Sequence, residues 1–171
     1  MGSRPDQRGF EQRLQEHRRL IAKVASVYAA GAEDRRDLEQ EICVQLWRAW
    51  PGYDESRARF STWMYRIALN VAISQLRRGG AAQAGQLEPL QPHHLDTIGA
   101  EAAPERDERL VALYAFIGQL EPLNRALILL YLEDRSHAEI AEVLGISATN
   151  VATKLGRIKQ TLRDRMVAAE A

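Results

Sequence analysis

Apolar residues along this chain recur every three or four positions and do not alternate over any long stretch, which is the period of helices rather than strands. The first such segment is expected over Phe10–Ala30, with Leu14, Ile21, Val24 and Tyr28 on one side and Gly31 as its stop. The second is expected over Arg35–Trp50. There Leu38, Ile42, Leu46 and Trp50 fall at four-residue steps, Cys43 and Trp47 widen the stripe, and Pro51-Gly52 ends it. A loop, Tyr53 to Arg59, leads into a third helix over Phe60–Arg78. This helix has two apolar lines, one of Phe60, Trp63, Met64, Ile67 and Val71, the other of Tyr65, Leu69, Ala72 and Leu76. Apolar on two sides, it should lie centrally in a bundle or bury one side against a partner.

The pattern then breaks. Residues 79–104 hold Gly79-Gly80, Pro89, Pro92, Pro104 and little periodicity, and they read as a flexible linker. Helical spacing resumes over Glu105–Gln119, Pro122–Leu132, Ser136–Leu144 and Ala148–Ala168. Pro122 suits a first helical turn. Ser136 with Glu139 makes a capping box, and Ser147 is a second N-cap candidate. The expectation is an all-α chain of two small helical domains, 1–78 and 105–171, joined by the linker 79–104.

The last two helices form a helix–turn–helix. Gly145 supplies the left-handed residue after the first helix, and Ile146 plugs the space between the two. The second helix places Val151, Leu155, Ile158 and Leu162 toward the core and carries no acid until Asp164. Ser147, Thr149, Asn150, Thr153, Lys154, Arg157 and Lys159 are left to meet DNA. Asn and Arg pair with base edges, while Lys and Thr more often hold phosphates. Gly156 inside this helix costs about 1 kcal/mol relative to Ala; it fits either close approach to DNA or tolerance on an exposed face. In the first domain, Tyr53 to Asn70 interleaves aromatics with arginines. Arginines neutralise phosphate, and an aromatic face receives an unstacked base. Taken alone, Phe60 and Trp63 each read first as plain core.

Formal net charge is zero, but its distribution restores a nucleic-acid reading. Residues 1–78 carry 14 basic and 10 acidic side chains, residues 79–134 carry 3 and 9, and residues 135–171 carry 6 and 4. Two basic ends flank an acidic middle, and the local field governs approach to DNA more than the total does. The lone Cys43 reads as a small buried hydrophobe. No apolar run is long enough to span a bilayer and Met1–Arg19 is no signal peptide, so a cytoplasmic location is expected. His17, His93, His94 and His137 lack ligand spacing, and no phosphate-cradling loop or nucleophile motif occurs. No metal, cofactor or enzymatic activity is expected.

Two blocks together resemble the bacterial RNA polymerase sigma factors of the extracytoplasmic-function type, a compact branch of the sigma-70 family with only the second and fourth conserved regions. The first block holds Asp37-Leu38-x-Gln40-Glu41, Leu46-Trp47, Phe60-x-x-Trp63-Met64-Tyr65-Arg66-Ile67-Ala68-x-Asn70 and Leu76-Arg77-Arg78. The second holds Leu120-x-Pro122, Leu129 to Glu133 and Glu139 to Ser147. The resemblance covers about Glu11–Arg78 and Asp107–Met166. It implies a region 2-like three-helix bundle and a region 4-like helix–turn–helix domain, in a promoter-specificity subunit that binds core polymerase through its clamp helices and flap. By position, Asp37, Leu38, Gln40, Glu41 and Gln45 would dock on the clamp helices. Tyr53, Arg57, Arg59, Phe60, Ser61, Thr62, Trp63, Arg66, Asn70, Arg77 and Arg78 would meet the downstream (−10) element, with an unpaired base captured near Tyr53–Trp63. Ser147, Thr149, Asn150, Thr153, Lys154, Arg157 and Lys159 would read the upstream (−35) element. The linker would thread toward the RNA exit path, and an anti-sigma partner, which can hold such a protein at the membrane, is implied. The recognition helix departs from the family pattern at Asn150, Ala152 and Gly156, which bears on base preference. The other reading is a free-standing helix–turn–helix regulator with an N-terminal sensing or dimerisation domain. A weaker third is a protein that only titrates polymerase or a sigma antagonist.

Overall fold

The computed structural model describes residues 6–83 and 108–170, and these divide into two compact units, one on each side of the gap. Among the described residues there are α-helices, one 3-10 turn and no strand.

In the first unit, α1 spans Gln7–Glu16, α2 Arg18–Tyr28, α3 Ala32–Ala49 and α4 Phe60–Gln83, with a 3-10 turn at Trp50–Gly52. The single helix expected over Phe10–Ala30 is therefore two. The break falls at His17, with φ −110° and ψ 14°. Its Nδ1 lies 2.8 Å from the Arg13 carbonyl oxygen and so carries a proton toward it. That side-chain bond competes with the regular ladder, and no Gly or Pro announces it in the sequence. α3 begins earlier than the apolar stripe, at a turn holding Glu33 and Asp34, where acids complement the helix dipole. α4 runs through Gly79-Gly80 to Gln83, past the end expected at Arg78. Adding a residue to an existing helix is easy compared with starting one, so two glycines are tolerated where no proline intervenes.

α2, α3 and α4 pack on one another, and α1 packs on α2. The core joins Ile21, Val24, Ala25 and Tyr28 to Leu38, Ile42 and Leu46 and to Met64, Tyr65, Ala68, Leu69 and Ala72. α4 buries one broad face rather than two equal ones: Trp63, Ile67, Val71 and Leu76 stay half-buried. Two residues of the α3 stripe also differ from expectation. Trp47 is 45% exposed. Cys43 is half-buried rather than buried. Desolvation still pushes its thiol above the ordinary 9.0, Glu39 adds to the rise and Arg18 opposes it.

In the second unit, α5 spans Glu108–Gln119, α6 Pro122–Leu132, α7 His137–Leu144 and α8 Ala148–Glu170. α6 and α7 pack on each other and on α8, and α5 packs on α6 and α8. The core is Phe116, Ile117, Ala126 to Leu130, Ile140, Val143, Val151, Leu155 and Ile158; Leu162, expected there, is only half-buried. Arg125 is buried and ties α6 to the end of α5. Its Nε donates to the Leu120 carbonyl at 2.9 Å and its Nη2 to the Gly118 carbonyl at 2.7 Å. A cation on these terminal carbonyls satisfies acceptors that the helix itself cannot.

Residues 84–107 lie outside the described residues, and with them most of the expected linker, His93-His94 and the expected helix start at Glu105. No helix among the described residues is long and apolar enough to cross a membrane.

Candidate nucleic-acid interface

The region around Tyr53–Trp63 is a cluster of rings. Pro51-Gly52 stops α3, and the 3-10 turn delivers Trp50 and Tyr53 stacked, centroids 5.3 Å apart and planes 17° from parallel. Trp63, one turn into α4, lies 4.9 Å from Tyr53 and 6.1 Å from Trp50. Phe60 stands edge-on to Tyr53 at 5.7 Å. On the far side, Phe10 of α1 contacts Trp47 at 5.2 Å and Trp50 at 5.4 Å. The Trp50 Nε1 is buried without a hydrogen-bond partner among the described residues.

The loop over these rings is shaped by its own polar groups. The Asp54 carboxylate accepts from the Ser56 N–H at 2.9 Å and from its hydroxyl at 2.6 Å, an Asx-turn. These bonds favour the ionised form and hold Asp54 below its ordinary 3.8, with Arg57 contributing in the same direction. The Tyr53 hydroxyl donates to the Ala58 carbonyl at 3.2 Å. Arg57 and Arg59 are exposed, and Tyr53, Ser61 and Trp63 half-buried. Along α4, Arg66, Asn70 and Arg77 are exposed and fall four and seven positions apart, on one face of the helix. Arg78 is exposed too, its Nε donating to the Ser74 carbonyl at 3.3 Å.

Two residues of the expected −10 set are turned inward. Thr62 is 6% exposed and Phe60 7%. Phe60 is part of the ring cluster, and little of either side chain reaches the surface. Trp63 is the opposite case: its half-buried ring is not plain core.

On α3, Asp37 and Gln40 are exposed, while Glu41 and Gln45 are half-buried and bonded to each other at 2.9 Å. Leu38, expected in this docking set, is 3% exposed and belongs to the core. Val44 and Trp47 are exposed on the flank of this face; Val44 has no place in the expected docking set, and Trp47 was expected in the apolar stripe. Val44 lies four positions and Trp47 seven positions after Gln40, a helical spacing that carries the signal.

In the second unit the Ser136 hydroxyl accepts from the Glu139 N–H at 3.1 Å and starts α7. Gly145 ends it at φ 69°, ψ 31°. Its N–H and that of Ile146 both reach the Ala141 carbonyl, at 2.9 and 3.2 Å. Ser147 Oγ accepts from the Asn150 N–H at 3.0 Å, so this hydroxyl oxygen is engaged in capping α8. Thr149, Asn150, Thr153 and Arg157 are exposed and Lys154 half-exposed, opposite the buried line of Val151, Leu155 and Ile158. Lys159 does not join them. Two positions beyond Arg157 it lies ~200° round the helix, with its Nζ 4.1 Å from the centre of the Tyr131 ring on α6.

Two family models match segments of this chain. The family model for Sigma-70 region 2 matches residues 14–81, and that for Sigma-70 region 4 matches residues 110–162. The ECF RNA polymerase sigma factor SigE of Mycolicibacterium smegmatis is 30% identical over 161 residues, 91% of this chain and 60% of that protein. The RNA polymerase sigma factor CnrH of Cupriavidus metallidurans is 29% identical over 165 residues, 92% of this chain and 86% of its own. The solved structure of CnrH in complex with the cytosolic domain of CnrY superposes with a TM-score of 0.67 at 26% identity, over 95% of this chain and 90% of that one. The sigma factor RpoE of Bartonella quintana, solved with the anti-sigma factor NepR, has the same fold. Its TM-score is 0.68 at 18% identity, over 91% of this chain and 95% of that one. The chain belongs to the sigma-70 family of RNA polymerase sigma factors, in its extracytoplasmic-function group.

Proposed function

We propose that this chain is a promoter-specificity subunit: it binds core RNA polymerase, directs it to promoters through the −35 and −10 elements, and nucleates strand opening. The observation that carries the reading is the pairing of two unlike surfaces in one chain. One is a helix–turn–helix with a basic outer line; the other is a ring cluster beside exposed arginines. Asp37, Gln40, Glu41 and Gln45 dock on the polymerase clamp helices. Arg66, Asn70, Arg77 and Arg78 meet the −10 duplex, and the Tyr53–Arg59 loop with Trp63 captures an unpaired base. Stacking of about 1–3 kcal/mol per base is comparable to the cost of unpairing one. Thr149, Asn150, Thr153, Lys154 and Arg157 enter the major groove at −35. The two domains are those expected at 1–78 and 105–171, the first carried on to Gln83 by the end of α4.

The chain carries out no catalysis, works in the cytoplasm, and is held in check by an anti-sigma partner, as the CnrH and RpoE complexes suggest. A free-standing helix–turn–helix regulator is disfavoured because the N-terminal unit matches sigma-70 region 2 rather than a sensing domain. The test is reconstitution with purified core polymerase. A stable complex that initiates from specific promoters supports the reading. Absence of both a core complex and promoter-dependent initiation overturns it.

A further inference from the structure

The ring cluster is closed on one side by a cation from another helix. Arg13 stands on α1, 42 residues before Glu55. Its guanidinium carbon lies 5.8 Å from the ring centre of Trp50, 5.6 Å from that of Tyr53 and 5.9 Å from that of Phe60. Its Nη2 lies 3.5 Å from Glu55 Oε2. A flat guanidinium cannot lie face-on to three rings at once. At distances near the outer reach of a cation–π contact, it fills the gap among them. One side chain thus lies against the helix stop at Trp50, the loop's first residue at Tyr53, the loop's middle at Glu55 and the first residue of α4 at Phe60.

Arg13 is itself anchored on both sides. Three residues earlier, Phe10 packs against Trp47 and Trp50. The Arg13 carbonyl meets the His17 ring, which lies 5.0 Å from Phe60. The loop's internal bonds, Tyr53 to Ala58 and Asp54 to Ser56, fix its shape. Where it stands on the bundle depends on contacts outside it: the Tyr53 ring on Trp50, Phe60 and Trp63 at one end, and Arg13, which alone among these also reaches the loop's middle at Glu55.

We propose that Arg13 is a positioning residue, a latch by which α1 sets the Tyr53–Arg59 loop and its rings in the base-capturing pose before DNA arrives. The inference rests on the assignment of that loop to the unpaired −10 base. A rigid, preset loop loses less freedom on binding, which strengthens capture without any contact between Arg13 and DNA. The rival role, a direct phosphate contact, makes opposite predictions. Lysine keeps the charge but not the planar fork. Neutralising Glu55 removes an acid beside DNA and should tighten binding if only charge matters.

The experiment uses reconstituted holoenzyme and two DNA probes from a promoter it opens: the single-stranded −10 segment and the −35 duplex. Arg13→Ala should weaken binding of the single strand about tenfold and leave the duplex unchanged. Glu55→Gln, at an exposed side chain that cannot threaten the fold, should weaken it about threefold. Arg13→Lys should fall between wild type and Arg13→Ala. Arg13→Ala with unchanged capture, or Glu55→Gln with tighter capture and Arg13→Lys equal to wild type, overturns the latch. Limited trypsin cleavage of the free protein after Arg57 and Arg59 reads the latch without DNA. Faster cleavage in Glu55→Gln and Arg13→Ala supports it, and equal cleavage in both overturns it. If wild-type holoenzyme fails to prefer the −10 strand while trypsin still shows the latch, it is the functional reading that fails.

Discussion

The same substitution at two glycines of the helix–turn–helix should change stability in opposite directions. Gly145 sits at φ 69°, and a Cβ built there meets no atom within 4 Å. Alanine would therefore clash with nothing; its whole cost is the left-handed backbone, about 1–2 kcal/mol for an L-residue. Loss of glycine's freedom in the unfolded chain returns about 0.4–1 kcal/mol. The net is a destabilisation of about 1 kcal/mol. Gly156 lies inside α8, exposed, and its Cβ would also meet nothing within 4 Å. Its backbone is ordinary helix, so Gly156→Ala should stabilise by about 0.5–1 kcal/mol. For a unit of this size each change corresponds to about 4–8 °C per kcal/mol in Tm. All three tryptophans lie in the first unit, so tryptophan fluorescence follows that unit alone. Hydrogen exchange of α7 and α8 amides reports the second. Opposite shifts in α7–α8 protection, with tryptophan unfolding unmoved, fit the argument. A stabilising Gly145→Ala, or a destabilising Gly156→Ala, refutes it. Gly156→Ala then serves a second use: a more stable protein that binds the −35 duplex less well would show that DNA occupies the space a methyl group takes.

Arg157→Ala should cost about 1–3 kcal/mol of −35 affinity if the guanidinium pairs with a base, with no change in thermal unfolding because the side chain is exposed; unchanged promoter affinity removes Arg157 from the interface. Glu41→Ala should weaken a pull-down with core polymerase and spare folding. Its neighbour Leu38→Ala should do the reverse, lowering stability by about 2–5 kcal/mol; equal loss of core binding in the two at full stability would contradict the assignment of Leu38 to the core. Asp54 should titrate below 3.8, and Ser56→Ala should bring it back toward that value by NMR. A depressed carboxylate contributes above its unfolded pKa and loses that contribution as pH falls through the folded value. The loop should therefore hold its shape at neutral pH and loosen only in acid; a loop transition near neutrality would contradict this.

The helices and their order were legible in the sequence because apolar spacing reports burial. Pro51-Gly52, Pro122 and Gly145 marked boundaries through restrictions that act on single residues. What escaped was set by contacts between distant positions. His17 breaks a helix through a ring-to-carbonyl bond that periodicity does not register. Trp47 has the spacing of the α3 stripe but sits at its edge, where Phe10 covers one side and solvent meets the other. Leu38, Phe60 and Thr62 stand in the candidate sets because the family-like blocks include them, and the fold buries all three, which one-dimensional spacing does not reveal. Lys159 was grouped with its basic neighbours, although its position on the helix turns it toward Tyr131. Arg13 and Arg125 carried no signal at all in one dimension, since the rings and carbonyls they meet are gathered only by the fold.

The central claim is that one chain, riding on polymerase, grips two separate promoter segments and melts one of them. Footprinting of the reconstituted holoenzyme on genomic promoter fragments, with permanganate to mark unpaired thymines, tests it most directly. The account predicts two protected patches, with permanganate reactivity confined to the downstream one and lost in Tyr53→Ala. A single protected patch, or two patches with no unpaired thymine, would contradict it.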